Sequence, residues 1–183
     1  METPTERAAL ISGSPSTRSK SRTLLERARH QLEAAGFDST IVDLSALPAV
    51  ALLGRQADDR VADAIQLVLG SRIVVASSPV YRATYSGLLK TFFDLLPPDA
   101  LEGRIGVPIL TGGGLAHLLA LDHTFRPLFA SIGATVIASG VYGYDAQFKS
   151  GGPDSAILER VDRAVEEAVA LARAVSEVGV DRQ

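Results

Sequence analysis

Short apolar runs alternate along this chain with longer stretches whose apolar residues recur every three or four positions, a pattern that predicts strands and helices in turn. Ala8–Ser12 reads as a strand. Leu24, Leu25, Ala28 and Leu32 mark the buried face of a helix from Thr23 to Ala35, which Gly36 ends. Thr40–Leu44 follows as the second strand, and a looser stretch from Ser45 to Gln56 leads into a helix over Asp58–Leu69. There Val61, Ala62, Ile65, Val68 and Leu69 form the expected stripe, and Gly70 closes it. Ile73–Ala76 is a third, wholly apolar strand. Ser86–Leu96 reads as a helix stopped by Pro97 and Pro98, Ile105–Leu110 as a strand, Leu115–Ile132 as a helix ended by Gly133, and Thr135–Ala138 as the fifth strand. Pro153 and Asp154 open a long terminal helix. Five short apolar strands alternating with helices predict a parallel sheet covered on both faces, a three-layer open α/β sandwich. Such sheets bind ligands beyond the carboxyl ends of their strands, so the loops after strands one, three and four are expected to share one site.

Composition adds mainly exclusions. The 183 residues, 46% of them hydrophobic, suffice for one domain over residues 1–183, with about 1–6 and 178–183 expected to fray. There is no cysteine, which excludes thiol catalysis, iron–sulfur clusters and disulfide frameworks. A net charge of -3, with Lys and Arg scattered among acids, offers no basic face for nucleic acid. No secretory leader or membrane-spanning run is visible, so the cytoplasm is the expected location.

The candidate chemistry is concentrated in three loops. The first strand runs into G-S-P-S-T-R-S-K-S-R-T, where Gly13 lets the backbone turn and Ser14, Ser19, Ser21 and Thr23 offer hydroxyls beside the amides of a helix start. Arg18, Lys20 and Arg22 supply positive charge. Neither G-x-x-x-x-G-K-[ST] nor G-x-G-x-x-G occurs, so nucleoside triphosphate and dinucleotide fingerprints are both missing. Many hydroxyls with few glycines suit a phosphate monoester, the group that ends flavin mononucleotide (FMN). The third strand leaves through S-S-P-V-Y-R-A-T-Y, which places Pro79, Tyr81 and Tyr85 where flat rings can be clasped. The fourth leaves through T-G-G-G, where Gly112 to Gly114 free backbone amides for a ligand.

Taken together, G-S-P-S-T-R-S-K-S-R-T-L-L, S-P-V-Y-R-A-T-Y-S-G-L-L-K-T-F-F-D-L-L-P and T-G-G-G-L-A-H-L-L-A-L-D-H resemble the NADPH-dependent FMN reductases, especially those serving sulfonate-degrading two-component monooxygenases. The similarity runs from about Ala8 to Tyr142. It implies a flavodoxin-like fold with strand order 2-1-3-4-5 and a homodimer or homotetramer. It assigns Ser14, Ser19, Lys20, Ser21, Arg22 and Thr23 to the FMN phosphate loop, Pro79, Val80, Tyr81 and Arg82 to the segment lining the flavin ring, and Thr111, Gly112 and Gly113 to the ring's other edge. It also implies NADPH as hydride donor and a flavin-dependent monooxygenase as partner.

Two helices carry further expectations. Leu88, Leu89, Phe92, Phe93, Leu95 and Leu96 make the third helix apolar on more faces than one sheet covers, which predicts contact with another subunit. In the fourth, Pro127 cannot donate to the carbonyl of His123, so the helix must deform, a π-bulge being one outcome. The resemblance places His123 where relatives insert a residue, often Tyr, that makes such a bulge at the subunit interface. His117 and His123, six apart on a helix, point to different faces and make a poor metal pair.

No G-x-S-x-G and no paired carboxylates occur in these loops, so no catalytic side chain and no metal ligand is assigned; hydride transfer would depend on orientation of the stacked rings. Arg18, Arg22 and Arg82 are candidates for the 2′-phosphate of NADPH, or else are solvated or serve FMN. An FMN-retaining quinone or azo reductase and a flavodoxin-type electron carrier are the alternative readings.

Overall fold

The computed structural model describes residues 6–149 and 152–180. Of the termini expected to fray, residues 1–5 and 181–183 lie outside that range. The elements run β1 (Arg7–Ser12), α1 (Lys20–Ala34), β2 (Asp38–Asp43), α2 (Ala49–Leu52), α3 (Asp59–Leu69), β3 (Ile73–Pro79), α4 (Gly87–Phe93) and β4 (Ile105–Gly112). A π-helix (Leu121–Phe125) continues into α5 (Arg126–Ala130), followed by β5 (Thr135–Val136), β6 (Val141–Tyr144), a small β7–β8 hairpin (Phe148–Lys149, Gly152–Pro153) and α6 (Ser155–Val180).

The sheet is parallel in the order β2-β1-β3-β4-β5, with β6 also pairing β4. This is the flavodoxin-like order expected from the sequence. Ala8, Leu10, Ile73, Val75, Ile105 and Val107 bury one face against α1 and α6, while Ala9, Ile11, Val74, Ala76 and Leu110 bury the other against α3, α4 and α5. Strand alternation alone divides the two cores.

The boundaries correct the sequence reading in several places. Ser19 caps α1 by accepting from the Arg22 amide, so the helix starts at Lys20 rather than Thr23. The loose stretch after β2 holds a 3-10 turn over Leu44–Ala46 and the short α2. On α3 Val61 and Val68 are buried and Ile65 and Leu69 half-buried as the stripe predicts, but Ala64 joins the buried face while Ala62 is exposed. Most of the apolar surplus on α4 is absorbed within the chain. Leu89, Phe92, Phe93 and Leu96 are buried, Phe93 meeting Phe129 edge-on at 5.4 Å, and only Leu88 and Leu95 remain half-exposed.

The expected fourth helix is not one regular helix. It opens as a 3-10 turn over Leu115–His117 and passes through the π-helix, with Pro127 immediately beyond, before turning regular. The deformation anticipated from Pro127 therefore takes the form of a widened turn centred on His123.

The fifth strand is interrupted. After β5 the Ile137 amide still donates to the Gly106 carbonyl of β4 at 3.2 Å; residues 138–140 then leave the ladder, and side chains replace it. The Arg126 guanidinium donates to the carbonyls of Ile137 and Ala138, while Glu167 of α6 accepts from the amides of Ala138 at 2.7 Å and Ser139 at 2.9 Å. Burial raises the Glu167 pKa, but the hydrogen bonds from Ser139 and Ala138 outweigh it and hold the carboxyl below its usual range. Arg126 also pairs with Asp122 at 2.7 Å, which ties the π-helix to the break.

Candidate functional site

The loops after β1, β3 and β4 are stitched together by backbone-directed hydrogen bonds. The Gly13 amide donates to the Ser77 carbonyl at 2.8 Å, the Ser86 hydroxyl donates to the Gly13 carbonyl, and the Val80 amide donates to the Thr111 carbonyl at 2.7 Å. Ser86 does more than one job, since its Oγ also accepts from Leu89 to cap α4 and its amide donates to Ser78 Oγ at 2.8 Å. Sequence reasoning missed Ser86 and Ser78 as organisers. The only sign was an S-G pair at a helix start.

In the first loop Ser14 and Ser21 are buried, Ser19 lies 3.1 Å from Ser21 through their hydroxyls, and Ser14 Oγ accepts from the Ser16 amide. Thr23 is exposed and its hydroxyl bonds back to the Ser19 carbonyl within the helix. Beneath them, Ser12 and Ser77 are register partners on the face shared with Leu10 and Val75; both are buried, and Ser77 Oγ has no partner among the described residues. Buried hydroxyls at a helix N-terminus suit an anion with several oxygens.

The basic residues divide. Lys20 pairs with Asp145 at 2.7 Å and lies over the Phe148 ring at 5.7 Å. Arg22 is held by Glu26 at 2.8 Å and by Asp43 at 3.3 Å, which draws its guanidinium toward β2. Arg18 and Arg82 are exposed and carry no ion pair among the described residues.

In the second loop Tyr81 and Thr84 exchange both backbone hydrogen bonds, at 2.8 and 3.2 Å, around a two-residue turn in which Arg82 has φ 51° and Ala83 φ 65°. Two side-chain-bearing residues in the left-handed region cost on the order of 1–3 kcal/mol each. Tyr81 is 50% exposed. Tyr85, expected beside it, is instead turned inward, 5.5 Å from Phe125 of the π-helix, where burial pushes its hydroxyl pKa up. Pro79 and Val80 are half-buried at the base of the loop.

In the third loop Thr111 is buried, Gly112 half-buried and Gly113 exposed. A Cβ on Gly112 would lie 2.5 Å from the Tyr142 hydroxyl, whereas Gly113 and Gly114 have open space around them. The Tyr142 hydroxyl donates to the Gly114 carbonyl at 2.5 Å, fixing the glycine run from β6. Tyr142 is a third residue, after Ser78 and Ser86, that the sequence did not single out. The two histidines separate, His117 beside Gly112 and His123 exposed on the π-helix.

The chain is similar to several known proteins. An FMN reductase (NADPH) of Pseudomonas putida is 41% identical over 138 residues, 75% of this chain and 70% of that protein. The NADH-dependent FMN reductase SfnF of Pseudomonas fluorescens is 36% identical over 157 residues, 81% of each chain. Among solved structures, the apo form of an NADH:FMN oxidoreductase superposes with a TM-score of 0.81 at 31% identity, covering 91% of this chain and 89% of that one. A Streptococcus pneumoniae flavodoxin, at 18% identity and TM-score 0.63, covering 89% of this chain and 98% of that one, shares the fold alone. Residues 7–149, the span holding all three stitched loops, match the family described as NADPH-dependent FMN reductase, and the chain belongs to that family.

Proposed function

We propose that this chain is an NAD(P)H-dependent FMN reductase that passes reduced FMN to a flavin-dependent monooxygenase. The observation that carries it is the stitching of three loops at one sheet edge, which sets buried hydroxyls beside a helix start on one side and unobstructed backbone on the other. That donor set fits FMN. Ser14, Ser19 and Ser21 would hold the phosphate, while Lys20, paired with Asp145, and Arg22, committed to Glu26 and Asp43, support the loop from its sides. Pro79, Val80, Tyr81 and Arg82 would line the ring, and Thr111, Gly112 and Gly113 would meet its far edge. When bound, FMN supplies the hydride acceptor. The protein's own part is to orient the ring and exclude water, for which the Tyr142 and Ser86 anchors keep the loops stiff. Exposed Leu115, Leu118 and Leu119 beside the π-helix provide an apolar face for a homo-oligomer. No helix among the described residues is long and apolar enough to cross a membrane.

Steady-state oxidation of NADPH with free FMN as the sole acceptor tests the reading. Turnover that tracks free FMN supports it; tight FMN with turnover only on quinones or azo dyes points to the flavin-retaining alternative. A second measurement addresses the phosphate loop. Ser14→Ala with Ser21→Ala is expected to weaken FMN by about 1–3 kcal/mol in a fluorescence titration, with riboflavin little affected. Equal wild-type affinity for FMN and riboflavin would remove the phosphate assignment.

A further inference from the structure

NADPH and NADH differ by one phosphate on the adenosine 2′ oxygen, and a protein distinguishes them with a cation that no carboxylate has already neutralised. Relatives on both sides of that choice resemble this chain. Around the candidate site most cations are committed: Lys20 to Asp145, Arg22 to Glu26 and Asp43, Lys90 to Asp94, and Arg126 to Asp122. Arg82 is not. It is exposed, and among the described residues its guanidinium makes neither an ion pair nor a hydrogen bond.

Its backbone, by contrast, is tightly held. The turn that carries it closes through both Tyr81–Thr84 hydrogen bonds, and one side of its base is fixed to β4 by Val80 and Thr111. The other side is fixed to Ser78 and Gly13 by Ser86. The two central positions of such a turn ordinarily take Asn and Gly; here Arg82 and Ala83 hold them at φ 51° and 65°, so the turn presents the Arg82 side chain on a fixed stem. A planar fork on a stiff stem suits a phosphate better than the same charge on a mobile loop. Arg18, also exposed and without an ion pair, stands on the neighbouring loop that Ser86 ties to this one.

We propose that Arg82, assisted by Arg18, reads the 2′-phosphate of the incoming nucleotide and makes NADPH the preferred hydride donor. This rests on the hydride-transfer reading above. It adds the residue that sets nucleotide choice: the Arg82 backbone belongs to the segment that would line the flavin ring, while its exposed guanidinium would turn to the nucleotide.

The test compares kcat/KM for NADPH and NADH in FMN-loaded wild type, Arg82→Asn, Arg82→Lys and Arg18→Gln. Asn suits the left-handed turn, so the charge is removed without straining the fold. The NADPH-to-NADH ratio should fall at least tenfold in Arg82→Asn, chiefly through KM for NADPH, and less in Arg82→Lys and Arg18→Gln. Calorimetric titration with 2′-AMP and 5′-AMP gives a readout independent of turnover: the variant should lose affinity for the first and keep it for the second. A wild-type ratio near one, or a variant that loses both nucleotides equally, overturns the proposal while the reductase reading stands. If wild type oxidises neither nucleotide with FMN, the reductase reading fails. In that case the two AMP titrations still decide whether Arg82 is a 2′-phosphate site, equal binding of both overturning it.

Discussion

Phe125→Ala is expected to destabilise the protein by about 3–5 kcal/mol, the range for removing a large aromatic from a packed core. Phe125 is fully buried at the C-terminal end of the π-helix, and its ring lies 5.5 Å from both Tyr85 and Phe129. Phe129 in turn meets Phe93 of α4. The four rings therefore run from the loop after β3 through the deformed helix to α4 within one layer, and truncation leaves a cavity that Tyr85 and Phe129, themselves packed, cannot fill. A urea midpoint lowered at constant m-value measures the effect. Phe125→Leu, which restores most of the volume, should recover much of the loss. A cost below about 1 kcal/mol for the Ala variant would mean that the π-helix packs independently of this ring stack.

Gly13→Ala is expected to damage stability and flavin binding together. A Cβ at this position would lie 2.8 Å from Leu89 Cβ, 2.9 Å from Leu89 Cδ1 and 3.0 Å from the Ser77 carbonyl oxygen. Two of those atoms cannot retreat by rotating a flexible side-chain end: Leu89 Cβ is fixed to the α4 backbone, and the Ser77 oxygen belongs to the central strand. The loop must move, at a cost of about 1–3 kcal/mol for overpacking. The Gly13 amide and carbonyl anchor it to Ser77 and Ser86, so movement also disturbs Ser14 and the start of α1. Thermal denaturation with and without FMN separates the two losses: the ligand-induced rise in Tm should shrink along with Tm itself. A full FMN-induced rise in a destabilised variant would show that the loop's grip on phosphate survives its displacement.

Much of this architecture was legible because local pattern and global fold agree. The five strand positions, the glycine after β1 and the hydroxyl-rich helix start are each specified within a few residues, and the parallel arrangement follows from their alternation with helices, whereas the strand order comes only through the family resemblance. What escaped was decided across long sequence distances. Ala62 and Ala64 differ in burial although both are alanines, since the choice between them depends on how α3 is rotated against the sheet. Tyr81 and Tyr85 looked equivalent in one loop. Only Tyr85 finds a ring to pack on, and that ring comes from a helix whose bulge no short window fixes. Tyr142 carried no local mark at all, because its hydroxyl serves the carbonyl of Gly114, 28 residues earlier. Pro127 was the exception, a single residue whose missing donor signalled a distortion that the helix then shows.

The broken fifth strand changes how this side of the sheet can open. An uninterrupted outer strand frays from its end, one rung after another. Here the amides of Ala138 and Ser139 are bound by a carboxylate on α6, and the carbonyls of Ile137 and Ala138 by a guanidinium at the end of the π-helix. Ala138 and Ser139 lie at the surface, so a change of side-chain rotamer at Glu167 or Arg126 is enough to release their peptide groups. Residues 138 and 139 are thus bolted rather than zipped, and hydrogen exchange at their amides reports release of the Glu167 carboxylate instead of the loosening of a margin.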